Sequence, residues 1–176
     1  MQIKLSKPFT RSMNSEPISE IELDFDKLTA KNYIDSFHNQ DGNELELIAY
    51  GKLGFLQAKN LIANAVDCVP EMLDDLSIMD YRAIEKECFA WFFGAVYNNE
   101  TPKTTFENLG VKDYLAIRSR NAINDGDSLT NKASAKTRES IISFITKKPI
   151  NEVEAMPIKD YIPLDIQCAS FFSELV

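Results

Sequence analysis

The segment Leu76–Ile84 reads LSIMDYRAI, and its wording returns twice, as LGVKDYLAI at Leu109–Ile117 and as MPIKDYIPL at Met156–Leu164. The starts are unevenly spaced, which argues against a regular solenoid. Set without a gap, Leu73–Phe92 overlies Val153–Phe172 at an offset of 80, with identities at Ile78/Ile158, Asp80/Asp160, Tyr81/Tyr161, Cys88/Cys168 and Phe92/Phe172. A fainter fourth copy begins at Leu28, because FDKLTAKNY (Phe25–Tyr33) precedes FENLGVKDY (Phe106–Tyr114) by 81 residues. QDGNEL at Gln40–Leu45 is echoed by NDGDSL at Asn124–Leu129, and AKNLIANAV at Ala58–Val66 by RESIISFIT at Arg138–Thr146. The chain therefore reads as two copies of one helical unit, with a short A–B–A′–B′ grammar.

The repeated phrase marks helix starts. In LSIMDY, Ser77 is a good N-cap and Asp80, three residues on, approximates a capping box and complements the helix dipole. Thr29 with Asn32 repeats the arrangement, Gly110 with Asp113 keeps part of it, and Pro157 leaves Asp160 to act alone. Behind each cap, Ile78, Tyr81, Cys88 and Phe92, and likewise Ile158, Tyr161, Cys168 and Phe172, fall on one helical face and are expected in the core.

The expected architecture is mainly helical. Residues 1–25 alternate apolar and polar around a turn-rich middle (QIKL, then EIELDF), which predicts a β-hairpin with a long tip and places Ile21, Leu23 and Phe25 on one side. Helical unit 1 is expected over 26–97, a linker (NNETPKT) over 98–104, and helical unit 2 over 105–176.

Composition narrows the function. The 176 residues hold 27 acidic and 19 basic side chains, a net charge of −8, which discourages nucleic-acid binding because phosphate contact needs clustered Lys and Arg. No apolar run of 18 residues predicts a membrane span and the polar N-terminus does not read as a signal peptide, so a cytoplasmic protein is expected. Cys68, Cys88 and Cys168 are odd in number and widely spaced, which fits reduced thiols; the repeat places Cys88 and Cys168 on the apolar stripe, as core residues rather than nucleophiles. The single histidine, His38, has no zinc-like company, and the QDGN loops miss the calcium-loop pattern since Phe37 stands where the first acidic ligand belongs. GxGxxG, GxxxxGK[ST] and GxSxG motifs do not occur. The reading is a non-enzymatic binding protein without cofactor or metal.

The candidate partner-binding residues lie in CFAWFFGAVY. Phe89, Trp91, Phe92 and Phe93 point almost all round one helix, so one stripe fills the core. Phe89 and Phe93, at i and i+4, would line a groove for an amphipathic partner helix; the alternative is burial against the sister unit. Trp91 and Phe171, its counterpart in the second copy, complete the candidate set of Phe89, Trp91, Phe93 and Phe171.

The opening stretch, IKLSKPF followed by SEIELDFDKLTAKNYI, resembles the tail assembly chaperones of long-tailed bacteriophages. Lys7-Pro8, Leu23–Thr29, Pro70 and Leu76–Tyr81 follow that family's order of motifs over about the first 95 residues. Asn32 stands where the family usually has Asp, and the second unit makes the chain longer than a typical member. The resemblance implies a binding role in the host cytoplasm: coating the helical tape-measure protein until the tail tube polymerises around it, with the tail tube protein as a further partner. The competing expectation is an acidic helical adaptor or inhibitor that covers a basic protein surface.

Overall fold

The computed structural model describes residues 1–37, 54–97, 109–121 and 131–173. Strand β1 (Gln2–Phe9) pairs antiparallel with β2 (Ile18–Glu22), with Ile3 opposite Ile21. Alternation buries Leu5, Phe9 and Ile21, and the chain continues through buried Leu23 and Phe25 into a 3₁₀ turn at Phe25–Lys27. The expected hairpin and its inward face are thus present.

Helices follow: α1 (Ala30–Asp35), α2 (Phe55–Ala65), a 3₁₀ segment (Pro70–Asp75), α3 (Ile78–Tyr97), α4 (Val111–Asn121), α5 (Asn131–Thr146), α6 (Ile150–Glu154) and α7 (Ile158–Ser173). The fold is mainly helical with an N-terminal hairpin. His38, both QDGN-type loops and the segment 98–104 lie outside the described residues.

The helix starts obey the capping logic. Asn32 Oδ1 accepts the backbone N–H of Thr29 at 3.0 Å, closing a capping box on α1. Ser77 Oγ accepts the N–H of Asp80 at 3.2 Å and donates its own proton to Asp80 Oδ2 at 2.7 Å. The Asp80 carboxylate reaches further than its own helix. The β1–β2 register breaks between Lys4 and Phe9, and Ser6 turns both its N–H (3.1 Å to each carboxylate oxygen) and its hydroxyl (2.7 Å) onto Asp80. One carboxylate holds the Ser77 capping hydroxyl and fastens the hairpin to α3.

Backbone features recur at an offset of 80. Asp67 and Lys147 both take positive φ, 58° and 56°, just past the ends of α2 and α5. The following N–H reaches back in each case, Cys68 to Ala63 O (3.0 Å) and Lys148 to Ser143 O (3.2 Å), as in a Schellman-type helix end. Further on, Met72→Val69 O matches Glu152→Pro149 O, Leu76→Leu73 O matches Met156→Val153 O, and Tyr81→Ser77 O matches Tyr161→Pro157 O. Among the described residues the helix orders also match, α1, α2 and α3 against α4, α5 and α7, with a short helical segment before each last member.

One hydrophobic core joins both halves of the chain: Leu5, Phe9, Tyr33, Ile34, Leu61, Ile84 and Phe92 lie with Ile142, Val153, Ile158, Tyr161 and Ile162. A smaller cluster of Ile117, Ile141 and Cys168, with Leu109, Tyr114 and Ile145 around it, seats α4 on α5. Cys88 and Cys168 are buried as expected, and burial pushes the Cys88 thiol up to about 12. Ile78 departs from expectation: it is 70% exposed while Ile158 is 1% exposed. The reason is what meets each helix start. Leu28 O accepts the Ile158 N–H (3.0 Å) and Met156 O accepts the Ala30 N–H (2.8 Å), so the entry to α1 lies across the start of α7. The start of α3 instead receives Ser6 through the Asp80 side chain, which leaves Ile78 in solvent.

Candidate functional site

The four aromatics singled out from the sequence part company in the structure. Trp91 is half-buried and stacks on Phe25 at 5.1 Å with the planes 26° apart; its Nε1 donates to Asp26 Oδ1 at 3.4 Å. Phe89 is half-buried and meets Phe55 of α2 edge to face at 6.2 Å. Phe93, one turn on from Phe89, is 41% exposed although its neighbour Phe92 is 1% exposed. The Phe171 side chain lies outside the described residues. Among the described residues, the ring partners of Trp91 and Phe89 come from the first half of the chain.

The α2–α3 face carries more than those residues. Phe55 is 75% and Leu56 55% exposed at the start of α2. Along α3, steps of three and four residues from Ile78 through Arg82, Glu85 and Phe89 to Phe93 keep these side chains on one side. Sequence reasoning missed Phe55 and Leu56; the usable signal was two consecutive large apolar residues at a helix start, which cannot both face one core.

In the second half, the corresponding helices are covered by α1. Helix α1 packs against α5, α6 and α7 as well as α2. Tyr33 meets Tyr161 edge to face at 5.8 Å, and Arg138 of α5 lies over the Phe37 ring at 5.4 Å. Beneath α1, Arg138 Nε and Nη2 donate to the two oxygens of Asp165 at 2.7 and 3.2 Å, both residues being buried. Burial opposes the guanidinium's charge, but Asp165 outweighs it and raises the Arg138 pKa. Burial, with Asp165 adding to it, holds the Tyr33 and Tyr161 hydroxyls well above their usual range. This buried pair is a clamp between helices, since each charge is spent on the other.

A further polar feature lies beside the hairpin. A pocket of about 210 Å³ between the hairpin and the end of α2 is lined by Arg11, Glu22, Asp24, Lys27, Val66 and Asp67, and Lys27 pairs with Asp67 at 3.0 Å within it. Its mixed charges select neither an anion nor a cation. Among the described residues no cluster of three or more His, Cys, Asp or Glu side chains is placed to hold a metal, and no helix is long and apolar enough to cross a membrane.

Comparison with protein-family models, with curated proteins and with solved structures gives no match. The functional reading therefore rests on the residues and the surface they form.

Proposed function

We propose that this protein is a tail assembly chaperone of a long-tailed bacteriophage, which binds an amphipathic helix of the tape-measure protein on the α2–α3 face and keeps it soluble in the host cytoplasm. In this reading residues 26–97 and 105–176 descend from one duplicated unit. The observation that carries it is an exposed apolar face: α2 and α3 present Phe55, Leu56 and Phe93 beside the half-buried Phe89, whose ring meets Phe55. An exposed apolar face on a pair of packed helices is a surface that an amphipathic partner helix can cover. The motif order from Lys7-Pro8 to Leu76–Tyr81 supports the same reading.

The acidic-adaptor alternative has less support. Three of the lysines interspersed among the acids are paired with them, Lys27 with Asp67, Lys31 with Asp35 and Lys59 with Asp74, so the carboxylates do not form a bare anionic face there.

Co-expression with the tape-measure protein of the same genome tests the proposal. A soluble complex that co-elutes on sizing, with the partner insoluble alone, is the expected result. Absence of both complex and solubilisation sinks it.

A further inference from the structure

The two halves treat one equivalent pair of positions in opposite ways. In the first half Lys59 of α2 pairs with Asp74 at 2.7 Å. At the offset of 80 these positions become Glu139 of α5 and Glu154 of α6, two acids where the first half has a base and an acid. The cation comes instead from Lys136, which stands where the first half has Leu56. Its Nζ lies 2.9 Å from Glu139 Oε2 and 3.0 Å from Glu154 Oε1, so two carboxylates share one ammonium. Glu139 is the deeper of the two, its side chain 2% exposed against 27% for Glu154. Its Oε1 is buried with no hydrogen-bond partner among the described residues. Helix α1 adds a second pair, Lys31 with Asp35, at the edge of the same cluster.

We propose that this junction of α1, α5 and α6 is a proton-operated latch: one proton taken up by Glu139 tightens α1 on α5, and its loss as pH rises loosens that grip. Charge balance is the reason. Fully ionised, the cluster sets three carboxylates (Asp35, Glu139, Glu154) against two ammoniums (Lys31, Lys136), and one proton evens the count. Glu139 is the acid that takes it, because a buried carboxylate with an unmatched oxygen bears the largest desolvation cost. Lys136 then keeps Glu154 as its partner, and Asp35 on α1 no longer faces the Glu139 charge. From α7 it is Tyr161 that feels that charge, while α4 meets α5 through the apolar Ile117 and Ile141. Burial, helped by Glu154 and Asp35, outweighs Lys136 and raises the Glu139 carboxyl above its usual value. A raised carboxylate value adds stability that is complete below the unfolded value of about 4.3 and is lost as pH rises through the folded one.

NMR titration of the Glu139 carboxyl in the full chain, with urea denaturation at the same pH values, is the test. The expected Glu139 midpoint lies above about 4.3. Relative to Glu139→Gln, which copies the protonated form, the parent's unfolding constant should grow with pH across that window, about tenfold for each unit between the unfolded and folded values. The α1 amides of Tyr33 and Ser36, which bond to the Thr29 and Asn32 carbonyls, should lose exchange protection as Glu139 ionises and keep it in Glu139→Gln. Glu154→Gln leaves Lys136 to Glu139 alone and should move the Glu139 midpoint down towards the usual value. A parent midpoint at or below about 4.3 overturns the proposal without any variant having to fold. So does α1 protection that follows pH identically in the parent and Glu139→Gln, or a Glu139 midpoint indifferent to Glu154→Gln.

Discussion

Tyr33 and Tyr161 meet edge to face across the two halves of the chain, their rings 5.8 Å apart and both fully buried. Tyr161→Ala is therefore expected to cost about 3–5 kcal/mol, in the range for losing a buried aromatic. Tyr81, its counterpart, is only half-buried, so Tyr81→Ala should cost roughly half as much. The Tyr161 hydroxyl has no hydrogen-bond partner among the described residues. Tyr161→Phe should accordingly be neutral or stabilise by up to about 1 kcal/mol, since it removes an uncompensated buried polar atom. Urea denaturation of the three variants checks this.

Breaking the Arg138–Asp165 pair from one side strands a charge in the core. Arg138→Met and Asp165→Leu should each destabilise by about 3–5 kcal/mol, and the double variant by clearly less than their sum. Additive losses in a double-mutant cycle would mean that the two side chains do not act as a unit.

Asp80 gives the acid limb of stability. Hydrogen bonds from Ser6, with smaller help from Ser77, hold its carboxyl below the usual value. A depressed carboxylate pKa adds stability that is present above the unfolded value of about 3.9 and is lost as pH falls through the folded one. Asp80→Asn should flatten the stability profile below about pH 4 relative to the parent. At neutral pH, Asp80→Ala should cost about 1–2 kcal/mol, the worth of a helix cap, and loosen the hairpin, visible as faster amide exchange at Ser6.

The thiols should separate by accessibility. Cys68 is partly exposed, with its thiol pushed by burial to about 11, while Cys88 and Cys168 are fully buried. At pH 8 a thiol reagent should label Cys68 slowly and the other two only in denaturant. Stability should also fall as pH rises from about 8.5 towards the Cys88 value of about 12, because unfolding releases thiols that ionise more readily.

Phe93→Glu tests the surface apart from the fold. At 41% exposure, with its ring edge to face on Phe92 at 6.4 Å, it should cost about 1–2 kcal/mol, short of unfolding the chain. It should still abolish recovery of soluble tape-measure protein if that groove is the seat. Undiminished recovery would move the binding site elsewhere.

Local rules carried the sequence reading a long way. The hairpin, the Thr29–Asn32 and Ser77–Asp80 caps and the burial of Cys88 and Cys168 all follow from periodicity and capping within a few residues. What escaped depends on which element lies on which. Ile78 and Ile158 occupy the same place in the same phrase, yet only Ile158 is covered, because the entry to α1 lies across α7 and not across α3. Arg138 and Asp165 lie 27 residues apart on different helices, and nothing local announces their pairing. Phe55 was overlooked for a related cause: which helix faces stay uncovered depends on elements far apart in the sequence. No motif marks a docking face, so the candidate site was legible only as an excess of aromatics.

The bridge between Thr29 and Pro157 also sets a schedule for the growing chain. Helix α1 is made early, but much of what covers it, α5, α6 and α7, is made late. At ribosomal speeds of about 5–20 residues per second, Tyr33 and Ile34 wait roughly ten seconds for that cover. During that interval the nascent N-terminal half exposes an apolar helix face of its own. A messenger truncated after Tyr97 should for the same reason yield an aggregating fragment and not a smaller working protein.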